Sequence, residues 1–191
     1  GSFFEKNYAI SNDGNIKEIF KKISISNEKL IRSYKTLDKL NFVEFPKLGF
    51  QELKKMTDKI SKLTGCILLI DYGYLKSHNN STLQSVMKHK KNKLLLNLGK
   101  ADITSHVNFG LLREFFSKNN LKVKNIITQK KFLETLGIIK RAEILSKKMK
   151  FKEQSNLYLR LKRLLNPKLM GHLFKVVLAY NFKKDNFIGF E

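Results

Sequence analysis

Residues 65–74 read Gly65-Cys66-Ile67-Leu68-Leu69-Ile70-Asp71-Tyr72-Gly73-Tyr74. A short apolar run without alternation is typical of a strand that is covered on both faces of a parallel α/β sheet. In open α/β sheets the ligand crevice lies beyond the carboxyl ends of the strands, so Asp71, Tyr72 and Tyr74 are placed to act on a ligand. A second interpretation is open, in which Asp71 caps the next segment and the tyrosines pack.

Length and composition narrow the class of protein. A chain of 191 residues can bury a substantial core, and 42% hydrophobic residues argue against disorder. No apolar run has the roughly 18 residues that a membrane span needs, so the sequence predicts a soluble protein without a membrane span. Cys66 is the only cysteine, and we expect it to be buried in the strand. The four histidines lie far apart, and no metal site is predicted.

The formal charge of +22 raises the question of nucleic-acid binding. The densest basic segments are residues 88–93 and the stretch that contains Arg160, Lys162 and Arg163. The lysines are nevertheless spread over the whole length instead of forming one stripe with stacking aromatic residues. We therefore interpret both segments as solvated surface, with nucleic-acid binding as the less favoured alternative.

Predicted helices and strands alternate along the chain, which indicates an α/β fold. Residues 1–10 and the turn at 12–15 indicate the start of a hairpin, and residues 16–40 read as a variable connection with one short helix around 27–37. A helix from Phe50 leads into the strand at 66–70, and residues 75–101 form a long excursion over the carboxyl edge of the sheet. The remaining predictions are a strand over 121–127, a long helix from Thr128 to Met149, a helix over 157–165 and a strand over 173–180.

A nucleotide-like cofactor is normally held by a glycine-rich turn between a strand and a helix. The ten glycines of this chain are so dispersed that no two lie closer than eight positions. The sequence therefore contains no such turn, and it also lacks a Walker-type lysine loop and a serine elbow between glycines.

Five blocks occur in an order that identifies a family. They are Leu68 to Tyr74, Thr82-Leu83-Gln84 with His89, Asp102 to Phe109, Phe132 to Ile138 with Arg141, and Met170-Gly171 with Leu173 to Val176. With these blocks the chain resembles the carboxyl-terminal part of the MidA-like S-adenosylmethionine-dependent methyltransferases, whose mitochondrial members are the complex I assembly arginine methyltransferases. Glu5 and Glu44 also match positions that the family uses, whereas Asn108 stands where the family commonly has aspartate.

The resemblance implies a class I, Rossmann-like methyltransferase fold with a mixed sheet and helices on both faces. In that fold the last strand, near 173–180, runs antiparallel beside the strand from Leu121. Residues 1–191 are then a single partial domain, the latter half of such an enzyme. The glycine-rich loop and the other cofactor-binding residues are expected upstream of Gly1, and we expect this chain to be inactive alone.

The resemblance further implies methyl transfer from S-adenosylmethionine to a protein arginine, linked to the assembly of respiratory complex I. A guanidinium is planar and cationic and is best held by carboxylates, which makes Asp71 and Asp102 the candidates for a clamp. His106 is the candidate for accepting a proton or orienting that clamp. The candidates for shaping the substrate pocket are Tyr72, Tyr74 and Gln84. Alternatively, Asp102 and His106 only pin the excursion to the sheet.

A second interpretation assigns the chain to another functional class. In that alternative the chain is a non-catalytic assembly or docking module that binds a partner through its excursion and its basic face. The expected partner of the enzyme is a protein substrate with an acceptor arginine. The expected location is the bacterial cytoplasm, with the mitochondrial matrix as the alternative.

Overall fold

The structure, a computed structural model, describes residues 2–183 and 185–191. The chain forms two compact units. Unit 1 comprises Gly1–Phe45 and His78–His106, and unit 2 comprises Pro46–Ser77 and Val107–Glu191. The expectation of a single partial domain over residues 1–191 stays a prediction.

Strands and helices alternate along much of the chain. The strands are β1 (Phe4–Ile10), β2 (Ile16–Lys22), β3 (Cys66–Tyr74), β4 (Gln84–Met87), β5 (Lys90–Asn92), β6 (Asp102–Thr104), β7 (Val107–Asn108), β8 (Lys122–Val123), β9 (Ile127–Thr128) and β10 (Phe174–Tyr180). The helices are α1 (Ile25–Arg32), α2 (Lys47–Lys62), α3 (Phe109–Lys118), α4 (Gln129–Thr135), α5 (Ile138–Ser146) and α6 (Phe151–Leu165), with a 3-10 turn at Lys35–Leu37 and a π-helical turn at Pro167–Gly171.

Unit 1 contains two small antiparallel sheets. The predicted turn at 12–15 joins β1 to β2, and Gly14 adopts the left-handed φ of 79° that such a turn requires. The interpretation of residues 16–22 as part of a variable connection was wrong, because β2 pairs with β1 along its whole length although most of its side chains are polar and exposed. In the structure the excursion extends beyond the predicted 75–101 to His106, and it contains the second sheet, in which β4 pairs with both β5 and β6.

Unit 2 is built on a mixed sheet in the order β7-β3-β10-β8, with β9 also paired to β10. β10 runs antiparallel to β3 from the Cys66–Tyr180 pair to the Tyr72–Phe174 pair, and β7 runs parallel to β3 at Gly73 and Tyr74. β8 and β9 are both antiparallel to β10, as the resemblance implies. The single strand predicted over 121–127 is thus two short segments.

The strand covered on both faces is β10 and not β3. Val176, Val177 and Leu178 point to alternating faces, yet none is more than 4% exposed, because α3 and α4 both pack against β10. On β3, Ile67 is buried, whereas Leu68 is 47% exposed and Ile70 is 44% exposed. The prediction that β3 is covered on both faces was therefore wrong for one face, and so was the prediction that Cys66 is buried, since Cys66 is exposed.

The long helix predicted from Thr128 to Met149 is interrupted at Gly137. Thr128 does cap the first part, because its hydroxyl accepts a hydrogen bond from the Lys131 N–H at 3.2 Å. Gly137 has a φ of 78°, a left-handed conformation that ends α4 and lets α5 begin in a new direction. The next helix, α6, begins six residues earlier than its apolar pattern from Leu157 indicated.

Candidate functional site

The predicted site residues are divided between the two units. Asp71, Tyr72 and Tyr74 lie at the carboxyl end of β3 in unit 2. Gln84 begins β4, Asp102 begins β6 and His106 ends the excursion, all in unit 1. Each unit therefore presents its own set of candidate residues.

The end of β3 is shaped by Gly73. A Cβ atom on this glycine would lie 2.0 Å from the Val107 carbonyl oxygen and 2.9 Å from the Phe109 ring, so no other residue fits without movement of the backbone. This close approach lets β7 pair with β3 and gives the glycine of the Tyr72-Gly73-Tyr74 sequence a structural purpose. The ring of Tyr72 packs edge-on against Phe174, with the ring centroids 5.5 Å apart.

Asp71 keeps acceptor capacity for a ligand. Its Oδ1 accepts a hydrogen bond from the Tyr72 N–H at 2.7 Å, and the described part of the chain contains no ion pair with this carboxylate. Lys175 lies opposite Asp71 in the sheet, but its ammonium donates to the carbonyl oxygens of His172 and Leu173. Burial lowers the pKa of Lys175 below its ordinary value. Asp71 is thus a half-buried carboxylate with open lone pairs.

The side-chain amide of Asn108 connects the start of α3 to the segment that follows β3. Its Oδ1 accepts a hydrogen bond from the Leu111 N–H at 3.0 Å and caps α3, while its Nδ2 donates to the Ser77 hydroxyl at 2.8 Å. An aspartate carboxylate at position 108 could accept hydrogen bonds from both groups, but unlike the amide it could not donate one to the Ser77 hydroxyl. The amide therefore fixes the start of α3 to the end of the β3 segment.

Unit 1 contains a cavity of about 410 Å³. Its wall is formed by residues 81–85, by part of the β5 hairpin and by His106. The structure thus brings Gln84 and His106 together around one space. Asp102 is exposed, lies opposite Val86 in the sheet and is not part of the wall.

The hairpin side of this cavity is fixed by Asn92. The Asn92 Nδ2 donates to the Ser85 hydroxyl at 3.0 Å and to the Leu96 carbonyl oxygen at 2.7 Å. Ser85 is only 1% exposed, so this bond satisfies a buried polar group.

The opposite side is fixed by Glu44, whose role the residue pattern did not predict. The Glu44 Oε1 accepts hydrogen bonds from the Thr82 N–H at 2.8 Å, the Leu83 N–H at 3.2 Å and the Ser81 hydroxyl at 3.2 Å. The Glu44 Oε2 accepts a bond of 2.5 Å from the Thr82 hydroxyl, and the Thr82 Oγ1 in turn accepts one from the His106 N–H at 2.9 Å. Only the resemblance pointed to this residue, because a bond between residues 38 positions apart leaves no periodic signal.

The residues present do not form a complete cradle for a nucleotide-like cofactor. The junctions that lead from β7 into α3 and from β9 into α4 contain a single glycine, Gly110 in the first turn of α3, and the side chains of Asn108 and Thr128 already cap the helices that follow.

Among residues 2–183 and 185–191, no group of three or more histidine, cysteine or acidic side chains is arranged to hold a metal ion. Within the same ranges, no helix combines the length and the apolar character needed to cross a membrane.

Two mitochondrial proteins are similar to this chain in sequence. The "Protein arginine methyltransferase NDUFAF7 homolog, mitochondrial" of Caenorhabditis elegans is 32% identical over 102 residues, which are 53% of this chain and 24% of that protein. Human "Protein arginine methyltransferase NDUFAF7, mitochondrial" is 28% identical over 123 residues, which are 64% of this chain and 27% of that protein. The matched part spans only about a quarter of the length of these relatives.

A solved structure from Burkholderia thailandensis, crystallised with S-adenosyl-homocysteine, superimposes with a TM-score of 0.78 at 19% identity. The match covers 99% of this chain and 50% of that one, which confirms the predicted methyltransferase fold for the part present here. A family model described as "Putative S-adenosyl-L-methionine-dependent methyltransferase" matches residues 4–127. This match covers most of the chain, and the chain belongs to that family of S-adenosylmethionine-dependent methyltransferases.

Proposed function

We propose that the protein containing this chain transfers a methyl group from S-adenosylmethionine to an arginine of another protein. The observation that carries this proposal is the family match over residues 4–127, which includes every predicted site residue. The printed names of the relatives support an arginine acceptor, since both are called protein arginine methyltransferases. The link to complex I assembly rests on the resemblance alone. The relatives' names also favour the mitochondrial matrix over the bacterial cytoplasm as the location.

In this proposal, the Asp71 carboxylate of unit 2 and the Asp102 carboxylate of unit 1 are each candidates for binding the acceptor guanidinium, since carboxylates bind that group through paired, charge-assisted hydrogen bonds. The open lone pairs of Asp71 and the exposure of Asp102 support this role. Methylation of a guanidinium nitrogen releases a proton, and we assign its acceptance to His106.

The substrate-binding role is proposed for Gln84, Tyr72 and Tyr74. Gln84 shares the wall of the unit 1 cavity with His106, which supports its contact with an acceptor side chain. The two tyrosines flank Gly73 at the end of β3, and the packing of Tyr72 against Phe174 gives that ring a fixed position.

The test is Asp71→Asn in the full-length gene product that contains this chain. Methylarginine formation is measured by mass spectrometry on extract proteins from cells in which the gene is deleted. We expect a loss of about 100-fold or more in the rate, with cofactor affinity unchanged, because the amide cannot accept two charge-assisted bonds. Asp58→Asn in α2 removes the same charge at an exposed position and should leave the rate unchanged. Retained turnover in the Asp71→Asn variant rejects the assignment of this residue.

A docking module is the second candidate, and the exposed apolar side chains of β3 favour it. Leu68 and Ile70 lie on the face of the strand that the described chain leaves uncovered. A cofactor titration of the full-length gene product separates the two functions. The enzyme should bind S-adenosylmethionine with an affinity in the usual micromolar range of about 1–100 μM, whereas the module should show no binding.

A further inference from the structure

We propose that Glu44 is a positioning residue, which sets the place of His106 at the cavity wall through the hydroxyl of Thr82. The inference rests on the proposed function, because it takes the cavity that His106 and Gln84 share as the place of the acceptor side chain. It adds a residue of unit 1 that neither contacts the acceptor nor lines the cavity.

The hydrogen bonds of Glu44 explain why it acts indirectly. A carboxylate offers about four lone-pair positions to donors. Glu44 already receives four donors, namely two backbone N–H groups and two hydroxyls of the loop at residues 81–83. The hydrogen-bond acceptor positions of Glu44 are therefore occupied by donors of unit 1, and few remain to bind a guanidinium.

The Thr82 hydroxyl transmits the effect of the carboxylate. A hydroxyl has one proton, and here that proton is donated to the Glu44 Oε2. The lone pairs of the Thr82 oxygen are then directed toward the backbone N–H of His106, which donates a hydrogen bond to this oxygen at 2.9 Å. The charge on Glu44 thus decides the direction of the hydroxyl, and the hydroxyl decides where the His106 backbone lies.

Three substitutions distinguish the positioning of His106 from a role in which Glu44 only holds the loop at residues 81–83 in place. Glu44→Gln keeps one oxygen for the Oε1 bonds, but its amide donates toward Thr82 and reverses the direction of the hydroxyl. Thr82→Val removes the hydroxyl and retains the shape of the side chain. Thr82→Ser keeps the hydroxyl and should restore the behaviour of the original protein. Glu52→Gln, at an exposed position of α2, is the matched control for charge.

The first measurement is steady-state methylation of an arginine-containing peptide by the full-length gene product. We expect Glu44→Gln and Thr82→Val to raise KM for the peptide about three- to tenfold, as the loss of one hydrogen bond predicts. Cofactor affinity should stay within about twofold, and Thr82→Ser and Glu52→Gln should match the original protein. A KM unchanged in Glu44→Gln overturns the inference.

The second measurement is amide hydrogen exchange at His106, which needs no activity. Exchange should accelerate about tenfold in Glu44→Gln and Thr82→Val, and not in Thr82→Ser. If the original protein methylates no arginine peptide, the proposed function fails, and exchange at His106 alone decides whether Glu44 positions this residue. Unchanged exchange in that case overturns the positioning as well.

Discussion

The two units are stabilised by different interactions. Among the described residues, the buried apolar side chains of unit 1 are Tyr34 and Leu37, and all the others belong to unit 2. Unit 2 buries phenylalanines of α3 and the valines of β10 almost completely. In unit 1, one of the most completely buried side chains is the hydroxyl-bearing Ser85, and carboxylate and amide groups connect its loops.

The difference bears on function. Apolar packing is strong but it does not fix a polar group in one orientation, whereas a side chain that binds several backbone groups does. Unit 2 therefore provides a rigid sheet that carries Asp71, and unit 1 provides a polar wall with specified hydrogen-bond directions.

The largest effect is expected at the close approach in unit 2. In Gly73→Ala, the new Cβ would lie 2.0 Å from the Val107 carbonyl oxygen, which is backbone and cannot rotate away. We expect a loss of about 3 kcal/mol or more in the free energy of unfolding, measured by urea denaturation.

The control is Gly49→Ala in α2, where the nearest atom to a new Cβ is the Pro46 Cβ at 3.7 Å. This change should be neutral or stabilising by about 0.5–1 kcal/mol, since alanine favours helix more than glycine does. Similar stability of the two variants would contradict the close approach of β7 and β3.

The apolar half of the comparison is tested by Phe116→Ala. Phe116 is 0% exposed, so the substitution leaves a cavity and should cost about 3–5 kcal/mol of unfolding free energy. Phe151→Ala removes the same ring from a position that is 83% exposed and should change stability by less than about 0.5 kcal/mol. Thermal denaturation of both variants gives the comparison, and an equal cost would show that unit 2 does not depend on this core.

The same difference explains how much the sequence could predict. Unbroken apolar runs identified β3 and β10, and apolar residues at helical spacing identified α2, because burial leaves such patterns in the sequence. These patterns missed β2, in which four of the seven residues are charged and the apolar residues do not alternate, and they did not show the break at Gly137, where the apolar spacing continues although the backbone turns.

The candidate site was predicted only in part, for a physical reason. Residues at the end of a buried strand follow from the strand itself, and so Asp71 could be selected. Glu44 and Asn92 act through hydrogen bonds to loops, and such bonds depend on folding and not on local spacing. Which face of β3 is covered depends equally on the placement of α3 and α4 against the sheet.

The polar half of the comparison is tested by Asn92→Asp. The carboxylate has the shape of the amide but donates no hydrogen bond, so the Ser85 hydroxyl and the Leu96 carbonyl both lose their donor. We expect the free energy of opening of the β4 and β5 amides, measured by hydrogen exchange, to fall by about 1–3 kcal/mol. Asn80→Asp adds the same charge at an exposed position of unit 1 and should leave these amides unchanged. Equal protection in both variants would contradict the role of Asn92.

The smallest effect is expected at a polar contact within unit 2, where the buried Tyr180 hydroxyl donates to Asp185. This hydrogen bond raises the pKa of Tyr180 to about 12, and the Asp185 carboxylate also binds the Lys124 ammonium at 2.7 Å. Because the pKa in the folded state is raised, neutral Tyr180 stabilises the fold below about pH 10, and this contribution is lost as the pH rises through 12.

Asp185→Asn removes the charged acceptor, and the pKa of Tyr180 should fall from about 12 toward its ordinary value of 10.0. The measurement is a titration followed by the ultraviolet absorbance of tyrosinate, in which the latest-ionising tyrosine of the original protein should join the others. Asp58→Asn, whose carboxylate binds Lys54 on the surface of α2, removes the same charge and should leave that late phase in place. A late phase that persists in Asp185→Asn would mean that burial, and not this hydrogen bond, holds the proton on Tyr180, and this part of unit 2 would then depend on apolar packing like the rest of its core.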